Sequence, residues 1–129
     1  MIKKNSDYQK VIRDIIKFNQ ARGWDPVPQD IAKSISIEAA ELLEHFQWDV
    51  SEMKYKKPKN WKEIAAEAAD VFWYLVTFCH KAKIDLPEAV EKKIQHHAQK
   101  YPEKDFQGKF NAEAYYKSKA KYREDRKNN

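Results

Sequence analysis

Ser36-Ile-Glu-Ala-Ala-Glu-Leu-Leu-Glu-His-Phe-Gln-Trp48 decides the fold, and Glu67-Ala-Ala-Asp-Val-Phe-Trp-Tyr74 repeats its logic. Each stretch carries two carboxylates three residues apart within a run that reads as helix. Residues three and four apart lie one above the other on a helix. Glu38 and Glu41 therefore share a face, as do Glu67 and Asp70. Trp48 comes seven residues after Glu41, and Tyr74 seven after Glu67. Seven residues is close to two helical turns, which predicts one aromatic ring on each carboxylate face.

The apolar neighbours set these acids apart. Ile31, Ile35, Leu42 and Phe46 form a stripe in the first segment, and Ile64, Val71, Leu75 and Phe78 form one in the second. Glu38 falls between Ile35 and Leu42, and Glu67 between Ile64 and Val71. An amphipathic helix keeps acids off the stripe that it buries. A carboxylate driven toward a core is protonated, paired with a base, or bound to a cation. No Arg or Lys stands at the matching helical positions, which favours the cation. Oxygen-only ligands suit magnesium, manganese or calcium rather than zinc. Magnesium held by a few carboxylates completes its shell with waters and substrate phosphates, which points to a phosphorylated ligand. Trp48 and Tyr74 could then edge a nucleobase, and core packing is the competing role for each ring.

Other metal chemistries fit poorly. A carboxylate-bridged di-iron bundle needs Glu-x-x-His pairs, and His45 follows Glu41 by four residues. His96 and His97 are adjacent and share no helical face, so they suggest no zinc site.

Composition agrees with a helical protein. The chain has 129 residues and only two glycines, which predicts one all-α domain. No apolar run approaches the length of a membrane span, and the opening Met-Ile-Lys-Lys-Asn-Ser lacks a signal-peptide core. The expectation is a cytoplasmic protein with no membrane partner. The single cysteine, Cys79, lies mid-helix beside Phe78 and reads as a core filler rather than a nucleophile.

The expected helices run over residues 6–21, from Pro28 to about Trp48, from Asn60 to near Lys83, from Asp85 to about Lys100, and from Asn111 onward. Ser6 or Asp7 caps the first, and Gly23 suits the left-handed position after it. Trp24, in the following connection, is either a lid on the core or a ring that stacks on a ligand. Asn60-Trp-Lys-Glu63 and Asp85-Leu-Pro-Glu88 have the capping-box pattern. Residues 49–59 form a basic polar connection, an ordinary loop or a flap toward an anion. The architecture expected is a four-helix-type bundle with an additional C-terminal helix.

The net charge of +5 owes much to the stretch after residue 114, where basic residues alternate with tyrosines. That pattern allows a second reading, a helical interaction or nucleic-acid-binding module working through its tail. A solvated terminal helix accounts for it more simply, so nucleic acid is not the expected partner.

Residues 35–48, followed by Glu67-x-x-Asp70 and Tyr74, resemble the MazG-like, all-α nucleoside triphosphate pyrophosphohydrolases, nearest the dCTP pyrophosphatase branch. Asp85-Leu-Pro-Glu-Ala-Val-Glu-Lys-Lys-Ile and Lys100-Tyr-Pro102 continue the likeness, which covers about Gly23 to Gly108. Residues 1–110 would form the catalytic domain and 111–129 a basic helical tail.

The resemblance implies Mg²⁺-dependent hydrolysis between the α and β phosphates, with Mn²⁺ as a substitute, in nucleotide-pool housekeeping by a homodimer or homotetramer. It implies Glu38, Glu41, Glu67 and Asp70 as metal ligands, with Glu38, Glu41 and Glu44 serving the chemistry. Trp24, Trp48 and Tyr74 would line the base pocket, and Lys93 would reach the phosphates. His97 takes the place of a nucleotide-contacting Asn, and Pro28-Gln-Asp30 replaces the Pro-Lys-Asn common in the group.

Overall fold

The first helix starts where Asp7 Oδ1 accepts a 3.0 Å hydrogen bond from the Lys10 amide. Such a side-chain cap satisfies a backbone donor that the helix leaves free. In the computed structural model, which describes residues 7–48 and 60–127, helix α1 runs Tyr8–Ala21. Its stop is a left-handed turn at Gly23, φ +64°. The Gly23 amide donates to Gln20 O at 3.1 Å and the Trp24 amide to Asn19 O at 3.0 Å. This six-to-one and five-to-two pairing is a Schellman motif, which favours glycine at its left-handed residue.

Helix α2 spans Pro28–Glu44 and begins with proline in its first turn. Ile31 is buried, and Ser34, Ile35, Glu38, Leu42 and His45 are half-buried. These residues recur at three- and four-residue spacing and make the inward face. Ile31, 1% exposed, is the best-packed residue on it, and burying such a side chain contributes roughly 1.5–3 kcal/mol.

Helix α3 spans Trp61–Lys81, with Ile64, Val76, Thr77 and Cys79 buried. It packs against both α1 and α2. Its contacts with α1 include a closed polar ring. Asn19 Nδ2 donates to Thr77 Oγ1 at 2.9 Å, Thr77 Oγ1 donates to Trp73 O at 2.9 Å, and Trp73 Nε1 donates to Asn19 Oδ1 at 3.2 Å. Among the described residues no buried side-chain nitrogen or oxygen is left without a partner. Cys79 is free and buried, and burial pushes its thiol up, which suits a core filler rather than a nucleophile.

Helices α4, Leu86–Lys100, and α5, Ala112–Lys127, form a second compact unit with a short 3₁₀ turn at Glu103–Asp105. Tyr101 stacks on Tyr115 with centroids 5.1 Å apart, and His96 meets Tyr122 edge-on at 4.9 Å. Two tyrosines of the basic tail are therefore spent on contacts with the α4 segment. Every described element is helical, so the all-α expectation holds. No described helix is long and apolar enough to cross a membrane.

Three local expectations need correction. The second helix stops at Glu44 rather than near Trp48. There the Phe46 amide donates to Leu43 O at 2.9 Å and the Gln47 amide to Glu44 O at 3.2 Å. These three-residue closures tighten the chain and break the two-turn register. The third helix ends at Lys81, because Lys83 adopts a left-handed φ of 56°. The capping box at Asn60 does not form, since the Asn60 amide bonds His45 instead. The expected loop or flap at 49–59 and the alternative cap Ser6 lie outside the described residues.

Candidate metal and nucleotide site

Glu38 sits on the inward face of α2, opposite Glu67 and Asp70 on α3. One oxygen from each of the three carboxylates lies within 4.8 Å of the others. The helices meet antiparallel. As α2 runs from Ser34 through Glu38 to His45, its partners run from Tyr74 through Asp70 and Glu67 to Asn60. Glu38 and Glu67 are half-buried and Asp70 is exposed, so the cluster opens to solvent on one side.

The electrostatics mark the cluster as strained. Burial pushes the Glu38 carboxyl above its usual range, and the charges of Glu41, Asp70 and Glu67 add to the effect. Among the described residues the basic group paired with this cluster is His45, whose Nε2 lies 3.8 Å from Glu67 Oε1. Hard carboxylate donors packed at this spacing, with little positive charge to balance them, fit an oxygen-loving divalent cation.

Glu41 is exposed and lies outside the trio of closest oxygens. A three-residue step turns it about 60° around the helix from Glu38, toward solvent. It still acts on the cluster through its charge. Glu44 is exposed too, on the outer side of α2, where it lines an open groove with Ile37, Ala40 and Leu43.

Trp24 and Tyr74 share a cavity of about 500 Å³ with Asp25, Pro26, Asp30, Ile31 and Ser34. Tyr74 lies one turn beyond Asp70, and Ser34 one turn before Glu38, so this cavity begins about one helical turn from the acids. Trp24 touches the core edge-on through Phe18, with centroids 5.6 Å apart, and remains 56% exposed. It thus serves both as a core contact and as cavity wall. An ion pair between Asp25 and Lys81 ties the Trp24 connection to the end of α3.

Trp48 does not join this arrangement. It is 86% exposed and follows the end of α2, so helical spacing no longer sets it on the acid face. Lys93 and His97 are exposed on α4, in the second unit. Two residues beside the acids escape the sequence reading, namely His45 as a neighbour of Glu67 and Asn60 as the partner of His45. The signal for His45 was present, since it follows Glu38 by seven residues on the same stripe.

Comparison with known proteins identifies a family. The model of the MazG-like family matches residues 33–117. The chain belongs to the MazG-like family. Among relatives, dCTP pyrophosphatase 1 of Mus musculus is 34% identical over 93 residues, covering 67% of this chain and 54% of that protein. The Homo sapiens dCTP pyrophosphatase 1 is 32% identical over 93 residues, with the same coverage of 67% and 54%. The chain thus spans about half the length of these relatives. A solved pyrophosphatase from Archaeoglobus fulgidus superposes with a TM-score of 0.67 at 36% identity, covering 79% of this chain and 99% of that one. The match at 33–117 takes in both acidic MazG-like segments, including Glu38, Glu67 and Asp70.

Proposed function

We infer that this MazG-like chain is a Mg²⁺-dependent nucleoside triphosphate pyrophosphohydrolase, which splits a (d)NTP with water into the nucleoside monophosphate and pyrophosphate. One observation carries the reading. Three carboxylate oxygens lie within 4.8 Å of one another, one helical turn from Ser34 and Tyr74, which line the Trp24–Tyr74 cavity. The names of the relatives, dCTP pyrophosphatase 1 and a pyrophosphatase, support the substrate class.

Glu38, Glu67 and Asp70 would hold the cation, with Glu41 near enough to add its charge. When held by these carboxylates, magnesium, or manganese in its place, would supply positive charge to offset that of the triphosphate and of the pyrophosphate leaving group. The cavity of about 500 Å³ has room for a base edged by Tyr74 and Trp24. Glu41, exposed and outside the trio, would accept the proton of the attacking water. Lys93 and His97 are proposed as phosphate and nucleotide contacts on the resemblance alone, and Glu44 as an orienter of water on the same ground.

We also propose a homodimer or homotetramer. Ile37 is 56% and Leu43 68% exposed on the outer side of α2, apolar area that a second copy would cover.

A panel of (d)NTPs, dCTP first, assayed with and without Mg²⁺, tests the reaction. Equimolar monophosphate and pyrophosphate formed only with the metal is the expected result. Formation of inorganic phosphate and the nucleoside diphosphate by the purified chain would overturn the α–β assignment.

A further inference from the structure

His45 follows the last turn of α2 and is about four-fifths buried, with its ring beside Glu67. Asn60, at the start of α3, sends its side-chain amide to the other edge of that ring. Asn60 Nδ2 lies 2.6 Å from His45 Nδ1. An amide N–H only donates, so Nδ1 must present its lone pair, and the ring proton of the neutral imidazole then sits on Nε2. Nε2 is the atom that lies 3.8 Å from Glu67 Oε1. The ring N–H is thereby the group that lies beside a carboxylate of the acid cluster.

The arrangement has a visible cost at the helix start. Asn60 is the N-cap residue of α3, yet its side chain makes no capping hydrogen bond. A capping side chain stabilises the helix start. Asn60 gives up that role and bonds the histidine instead.

We propose that His45 and Asn60 act as a positioning pair for Glu67, Asn60 fixing the imidazole tautomer and His45 orienting the carboxylate toward the cation. This deepens the metal reading above and rests on it. At 3.8 Å the contact is longer than a hydrogen bond, so it biases the carboxylate without capturing it. Glu67 therefore keeps its oxygens for the metal. Partners of this outer kind orient a ligating group, and their loss costs ~10–100-fold in metal affinity. Neither residue touches the substrate in this scheme.

The test is Mn²⁺ binding to the full chain without nucleotide, followed by the electron paramagnetic signal of the free ion. The variants are His45→Phe, His45→Gln, Asn60→Ala and the double His45→Phe/Asn60→Ala. His45→Phe should weaken binding ~10-fold or more. His45→Gln, whose amide N–H can still face Glu67, should recover part of that loss. Asn60→Ala should weaken binding less than His45→Phe and add nothing in the double variant, because Asn60 works only through the ring. Wild-type affinity in His45→Phe, or full additivity in the double variant, would overturn the pairing. Asn60→Ala leaves the core untouched and decides the matter should His45→Phe fail to fold, since unchanged Mn²⁺ affinity in it also overturns the proposal. If the wild-type chain takes up no Mn²⁺, the metal reading itself falls and the pairing with it.

Discussion

Glu38 occupies a helical position where an apolar residue would stabilise the fold, and in the proposed function it is a metal ligand as well. Its carboxyl is pushed up by burial and by Glu41, Asp70 and Glu67, so the folded chain holds this proton more tightly than the unfolded chain does. Stability is then greatest where Glu38 is protonated, and it falls as pH rises from the ordinary carboxylate range through the raised value. Glu38→Gln removes this liability. The metal-free variant should melt higher than the parent at pH 7, by a gap that closes near pH ~4, where the parent is protonated too. Its Mg²⁺-dependent turnover should fall by more than the ~10–100-fold expected for losing an outer partner. Calorimetry across pH and a turnover assay check the two halves, and a variant that melts no higher would remove the electrostatic strain from the site. At this scale the sequence was informative where periodicity spoke. Glu38 and Glu67 stand out because each interrupts an apolar stripe. For Trp48 the periodicity is silent, because the helix ends at Glu44, before that residue. His45 was legible by spacing, but its bond to Asn60 joins residues fifteen apart, which no local pattern encodes.

Among the elements, helix ends decide what the site contains. Gly23 shows why one stop was readable, since a glycine in the left-handed position after a helix announces itself. The stop of α3 uses the same motif without glycine. The Ile84 amide donates to Cys79 O at 2.8 Å and the Lys83 amide to His80 O at 3.3 Å, with Lys83 at φ 56°. A lysine gives no such signal, so the sequence does not announce this stop. A left-handed L-residue costs roughly 1–2 kcal/mol, part of which glycine returns through the greater freedom of its unfolded chain. Lys83→Gly should therefore stabilise the protein by about 0.5–1 kcal/mol, while Lys83→Ala should not. Urea unfolding measures this as a shift of the midpoint at unchanged slope, and a destabilised glycine variant would show that the Lys83 side chain matters more than its backbone. The Asn60 capping pattern failed for a related reason, because a tertiary partner outbid the local cap.

In the molecule as a whole, the site is a product of register. Helices α2 and α3 are each readable from their stripes, yet only their antiparallel packing sets Glu38 against Glu67 and Asp70, and Ser34 against Tyr74. The sequence named these acids and Tyr74 without stating which would face which. It also named Glu41 as an equal ligand, and the packed helices leave it at the solvent side of the trio. The central claim is that the three converging carboxylates hold the cation of a bound nucleoside triphosphate. Anomalous diffraction from crystals grown with Mn²⁺ and a non-hydrolysable α,β-imido dCTP reads this directly. A manganese peak coordinated by Glu38, Glu67 and Asp70, with the base in the cavity between Trp24 and Tyr74, is expected. A peak elsewhere, with these carboxylates free of metal, would contradict it.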